Sequence, residues 1–227
     1  MNRNFEEYRK NSSMDTIGIR ISNAKPNFCG TKWLGNPDMP VQMAYPCFED
    51  VDGGIYPYNF ICQIRLEDIA GFESAALLPS RGLIYFFAKV DYFLGGNTSH
   101  FLGQSLWNDN DVKVIYIEDI DIGAFEQKVI EADDDHVVPM ARAVEFYREE
   151  GNKALSGHQL FGKPYCYPYE TWDSPCSRWK LLLQVDSDEG SDYSMQFMDM
   201  GLLYFIISPN DLKKRDFTKV RATISSM

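Results

Sequence analysis

Three histidines, five cysteines with no C-x-x-C pair, and no apolar run of membrane-spanning length narrow the field before any motif is considered. An odd cysteine count argues against a disulfide framework, so reduced thiols in the cytosol are the expectation. The longest apolar runs, such as Leu202 to Ile207, fall far short of the roughly 20 residues that span a bilayer. The opening residues Met1 to Tyr8 carry acids and no apolar stretch, which is unlike a secretory signal. The N-x-Ser/Thr triplets at Asn11 and Asn97 are then chance matches. Positive charge is also scarce: 22 Lys and Arg stand against 33 Asp and Glu, a net charge of −11. A phosphate backbone is repelled by that field, and the run Lys213 to Arg215 is too small to reverse it, so no nucleic-acid partner is expected. Acidity serves solubility, and among protein partners it favours a basic one. No G-x-S-x-G elbow, phosphate-binding glycine loop or H-E-x-x-H helix occurs. The stretch Gly95 to Ser99 has no following Lys to hold a phosphate.

What is present is a core. The 227 residues are 44% hydrophobic and 14% aromatic, enough to fold without disulfides or metal. Ile17, Ile19 and Ile21 alternate with Gly18, Arg20 and Ser22, which is strand periodicity. Strands are predicted at Phe60–Leu66, Leu83–Ala88, Val112–Ile117, Trp179–Val185 and Leu202–Ile207, those at 83–88 and 202–207 being apolar throughout and so covered on both faces. Residues 2–12 read as a short helix docking by Phe5 and Tyr8. Helical spacing at Ile122, Phe125, Val129 and Ile130, with Pro139 opening a second stretch ended by Gly151, predicts a helical insertion over about 121–151. The acid run Glu131 to Asp135 inside it reads as a solvated loop. Ser208-Pro209-Asn210-Asp211 is a helix start.

Three features recur in one order. A Gly-x-Pro loop appears at Gly35-Asn36-Pro37 and Gly162-Lys163-Pro164. An apolar triplet followed by Gln appears at Phe60-Ile61-Cys62-Gln63 and Leu181-Leu182-Leu183-Gln184. A glycine-led aromatic strand appears at Gly82-Leu83-Ile84-Tyr85-Phe86 and Gly201-Leu202-Leu203-Tyr204-Phe205. Two copies are too few for a solenoid, which needs about three, but they suffice for paired halves. The expected fold is therefore α+β and predominantly β: a roll-like single domain of internally duplicated sheet halves, approximately 33–90 and 158–208, with a few peripheral helices.

The same residues resemble the YwqG-like family, a bacterial family of uncharacterised function. The resemblance rests on Gly35-Asn36-Pro37-Asp38-Met39-Pro40, on Leu77-Leu78-Pro79-Ser80-Arg81-Gly82-Leu83-Ile84-Tyr85-Phe86-Phe87, on Leu181 through Asp188, and on Asp211-Leu212 with Phe217 beyond. Where that family has Trp-Gly-Asp, this chain has Phe197-Met198-Asp199. The resemblance implies a β-rich roll. It implies no established activity, and no cofactor is expected. Members lying beside toxin genes imply an immunity or partner-binding role.

Gln63, Gln184, Asp186 and Asp199 are the candidate ligand-binding residues. Each Gln sits among apolar neighbours, where a buried amide must place two donors and an acceptor. It either ties its strand to a loop backbone or joins its counterpart in a pocket at the junction of the halves. The acidic segment Asp186 to Asp192 is similar to a calcium loop but has Phe197 where the bidentate acid belongs, so no metal is assigned; a solvated hairpin is the alternative. His158 with Cys166 and Cys176 is too widely spaced for zinc, and Cys62 in its apolar strand is expected to be inert. Trp33, Trp107, Trp172 and Trp179 lie at loops or strand edges and offer either partner contacts or core. The functional expectation is a non-catalytic protein-binding module, with a small-ligand pocket or a divalent-cation site as alternatives.

Overall fold

The computed structural model describes residues 15–49, 53–90, 110–130, 138–149, 156–166 and 178–225. In chain order its strands are β1 (Thr16–Ser22), β2 (Lys32–Trp33), β3 (Asp38–Pro40), β4 (Cys47–Glu49), β5 (Ile55–Pro57), β6 (Asn59–Arg65), β7 (Leu83–Ala88) and β8 (Val112–Ile117). They continue as β9 (Phe125–Gln127), β10 (Ala143–Glu149), β11 (Gln159–Leu160), β12 (Lys180–Asp186), β13 (Asp188–Glu189), β14 (Ser194–Met195), β15 (Leu202–Ile207) and β16 (Arg221–Ser225). A six-stranded sheet runs β10-β1-β11-β12-β15-β16 and a four-stranded sheet runs β2-β6-β7-β8. Every pairing in both is antiparallel.

The two sheets share one core. Ile61, Cys62, Ile64, Ile84 and Phe86 of the smaller sheet meet Leu182, Leu183, Val185, Leu203 and Phe205 of the larger, and the Phe86 and Phe205 rings touch edge to face at 5.2 Å. Each sheet also buries its other face. Tyr85, Phe87 and Phe60 pack under β3, β4 and β9 through Met39, Phe48 and Phe125. Leu181, Leu202, Tyr204 and Ile206 pack under Tyr165 and Trp179. Burial on both faces explains why β7 and β15 are continuously apolar. In β6 the register shifts between Phe60 and Cys62, and in β12 between Leu181 and Leu183. Such a bulge turns two successive residues to one face. Ile61 and Cys62, like Leu182 and Leu183, thus both enter the shared core, and Gln63 and Gln184 point the other way.

The helix start at Ser208 is present: its Oγ accepts from the Asp211 N–H, Pro209 takes the first position, and α1 (Pro209–Lys214) ends on left-handed Arg215. The helical insertion is not found where it is described. Ile122–Ala124 is a single 3₁₀ turn, Phe125–Gln127 pairs with β3, and Ala143–Glu149 is a strand pairing with β1 along its whole length. Val144 and Phe146 face the core, while Glu145 and Tyr147 meet Arg20 on the other side. The period there is two. Gly18 makes room: a Cβ on it would lie 2.2 Å from the Tyr147 ring. The segments 2–12 and 131–135, with Trp107, Trp172, His100, His136 and Cys176, lie outside the described residues. Among those described, no helix is long and apolar enough to cross a membrane.

Candidate functional site

Two loops are built alike around the two glutamines. Gln63 Oε1 accepts the Asp38 N–H at 2.9 Å and its Nε2 donates to Gly30 O at 2.8 Å. Gln184 Oε1 accepts the Tyr165 N–H at 2.9 Å and its Nε2 donates to Gly157 O at 2.7 Å. Tyr85 donates its hydroxyl to Asp38 O, and Tyr204 donates to Tyr165 O. Lys32 Nζ donates to Asn36 O, and Gln159 Nε2 donates to Lys163 O. Both loops turn through two consecutive left-handed residues, Leu34-Gly35 and Phe161-Gly162. At Gly162 the approach is closest, since a Cβ would meet Thr16 Oγ1 at 1.9 Å.

The loops diverge one residue before each short strand. In the first, the Thr31 hydroxyl accepts the Arg65 N–H at 2.9 Å and donates to Asp68 at 2.7 Å. In the second, His158 Nδ1 accepts the Asp186 N–H at 3.0 Å, and Nε2 stands 3.9 Å from Asp188 Oδ2. That distance is too long for a hydrogen bond. The first arrangement is closed; the second opens onto a cleft of about 470 Å³. One wall is Ile19, Ile21 and Asn23, the other is Asp188 through Ser191 of the β13–β14 hairpin, and Arg142 and Tyr193 complete it. Arg142 stacks on the Tyr193 ring, pairs with Asp192 and bonds Met140 O. It also exchanges backbone hydrogen bonds with Trp33 of β2, so the cleft opens where the two sheets are joined. Trp33 itself is fully buried, with its ring 4.5 Å from that of His158.

Electrostatics separate the two aspartates beside His158. Burial pushes Asp186 from its ordinary 3.8 up to about 6. Burial would also raise Asp188, but the nearby His158 ring, the Tyr193 hydroxyl and the Glu189 N–H outweigh it and hold that carboxyl below its usual range. Since Asp186 keeps its proton longer folded than unfolded, stability falls as pH rises from about 4 to about 6 and stays reduced above that. Asp186→Asn is expected to be more stable than the parent at pH 7, by about 1–2 kcal/mol after discounting for partial exposure, and nearly equal at pH 4. Urea denaturation across that range checks it; a constant difference would disprove the assignment.

Of the residues singled out from sequence, Gln63 and Gln184 are fully buried in separate sheets and bond their own loops. Asp186 is half-buried behind His158, and Asp199 is exposed on the turn between Met198 and Met200. None of the four lines the cleft. His158, Asp188, Tyr193 and Arg142 do, and sequence reading did not assemble them. Aligning the Gly-x-Pro loops puts His158 opposite Thr31, which was the available signal. Two acids of the hairpin already have partners, Asp188 with Tyr193 and the Glu189 N–H, Asp192 with Arg142 and the Met140 N–H. Among the described residues no group of three or more His, Cys, Asp or Glu could hold a metal ion. Cys62 is buried, and burial pushes its thiol far above the usual value.

Together these features define a β-rich protein of two sheets on one core, with a polar cleft at their seam. The chain belongs to the family described as domain of unknown function (DUF1963), whose model matches residues 31–225. No curated protein matches it.

Proposed function

We propose that the chain is a non-catalytic protein-binding module, made of two copies of one β unit, in which the second copy carries the contact cleft. The matched glutamine, tyrosine and glycine bonds of the two loops support the duplication. The observation that carries the binding reading is the state of His158. Its Nδ1 accepts a backbone N–H, so its proton sits on Nε2, facing the cleft as a donor and not as a base. His158 is therefore not placed to activate the exposed Ser191 as a nucleophile. The net charge of −11 favours a basic partner, which suits an immunity-type role, and a reducing cytosolic setting suits the thiols Cys29, Cys47 and Cys62.

A photo-crosslinking residue in place of Ser191, at the cleft, is expected to trap one discrete protein in cells, and the same residue in place of exposed Lys213 is expected not to. Identical patterns from both positions would remove the reading. A small cationic molecule is the second reading, favoured by a cleft volume within the range of roughly 300–1,000 Å³ usual for ligand sites.

A further inference from the structure

Strand β1 has seven residues, but its neighbour β11 has only two. The last bond between these segments is from the Ile19 N–H to His158 O at 2.9 Å. Main-chain groups of an antiparallel strand alternate between its two edges, so the peptide groups of Ile21 point to the same edge as the Ile19 N–H, away from β10. On that edge the chain has left the sheet: Gly157 turns its carbonyl to the Gln184 amide, and the His158 ring takes the Asp186 N–H that a longer β11 would have met. Past His158 the place of a strand is taken by the cleft, with Ile21 on one side and the β13–β14 hairpin on the other.

The groups facing this gap are those an extended chain would need. Ile21 offers a main-chain donor and acceptor. His158 is nine-tenths buried, its side chain 10% exposed, and its Nε2–H has Asp188 Oδ2 only at 3.9 Å. The charges are not balanced. Arg142 is neutralised by Asp192 and Arg20 by Glu145, and the exposed Glu189 carboxylate has no partner among the described residues.

We propose that this cleft accepts an extended peptide segment bearing Lys or Arg, which adds a strand beside Ile21, takes the His158 Nε2–H on a main-chain carbonyl and sets a cationic side chain against Asp188 and Glu189. The inference rests on the protein-binding reading and specifies its mode, strand addition to an interrupted sheet.

Two measurements test it. In the free chain the Ile21 amide is expected to exchange with solvent much faster than that of Ile19; equal protection overturns the slot. A capped synthetic peptide of alternating Lys and Val is then titrated into the isotopically labelled chain. Shifts centred on Ile21, Asn23 and Glu189 and slowed exchange at Ile21 are expected. Methylating the peptide's main-chain nitrogens keeps its charge but removes its donors, and is expected to weaken binding at least about tenfold. Glu189→Lys, an exposed change that leaves the fold alone, is expected to weaken it about fivefold. Undiminished binding of the methylated peptide, equal binding of N-acetyl-lysine amide alone, or shifts elsewhere would each overturn strand addition. If the peptide fails but the crosslink at position 191 persists, strand addition falls and the protein-binding reading stands; loss of both removes both.

Discussion

Replacing Lys32 with Met is expected to destabilise the chain by about 3–5 kcal/mol. Its Nζ lies 2.6 Å from Asp38 Oδ2, and the two side chains are 1% and 0% exposed. The same carboxylate oxygen accepts the Cys29 N–H at 2.8 Å and the Gln63 amide at 2.9 Å. Those bonds hold the first loop to β6 and favour the anion, but they carry no net charge to balance it. Without Lys32 the carboxylate is a buried charge that neutral dipoles alone must solvate. In the second loop the corresponding places are taken by Gln159 and Tyr165, so the loop shape itself requires no charge. Removing both charges, as Lys32→Gln with Asp38→Asn, is therefore expected to cost less than Lys32→Met alone, because it leaves no uncompensated ion and preserves hydrogen-bonding groups at both sites. Urea denaturation of the three proteins gives the order. A loss below about 1 kcal/mol for Lys32→Met would mean that the pair contributes as little as an exposed one.

How much of this was legible beforehand differs from element to element. The strands at 83–88 and 202–207 could be read because burial on both faces writes an unbroken apolar run, and those at 59–65 and 180–186 because an apolar triplet precedes each Gln. The start of α1 could be read because Ser208, Pro209 and Asp211 each satisfy a local requirement of a helix end. Strand β10 could not. The apolar spacing from Ile122 to Ile130 matches a helical face by number alone, and what makes 143–149 a strand is pairing with β1 more than a hundred residues away, an interaction that no local window contains. The candidate site divides in the same way. The two glutamines were recognisable as buried amides needing partners, and tying a strand to a loop backbone is what they do. The cleft was not recognisable, because it is made by a strand that stops. A missing strand leaves no motif, and the residues around it come from β1, the approach to β10, the start of β11 and the β13–β14 hairpin. His158 was weighed as a metal ligand, whereas in the structure it caps a strand end as Thr31 does at the matching position.

The glutamine bonds carry the second large effect. Gln184→Leu keeps most of the side-chain volume and introduces no charge, yet it leaves the Tyr165 N–H and the Gly157 carbonyl without the partners they have at 2.9 and 2.7 Å. Each stranded group costs about 1–3 kcal/mol, so a loss of about 2–6 kcal/mol is expected. Gln184→Glu is expected to be worse, since it keeps an acceptor for Tyr165 but turns a carboxylate toward the Gly157 carbonyl. At the other loop Gln63→Glu should be the most damaging of all, because the new carboxylate would stand where Nε2 now lies, 2.9 Å from the Asp38 carboxylate. The ranking Gln63→Glu, then Gln184→Glu, then Gln184→Leu separates a hydrogen-bonding role from a packing role, since packing alone would make Leu the worst of the three. Fast exchange of the Tyr165 amide in Gln184→Leu would locate the defect in its own loop. Gly157 immediately precedes His158, so releasing its carbonyl frees the residue that donates into the cleft. If the cleft takes the proposed peptide, its binding should weaken in Gln184→Leu at temperatures where the fold is intact. A Gln184→Leu protein within about 0.5 kcal/mol of the parent would show that water replaces the amide, and the two loops would then owe their common shape to their turns and glycines alone.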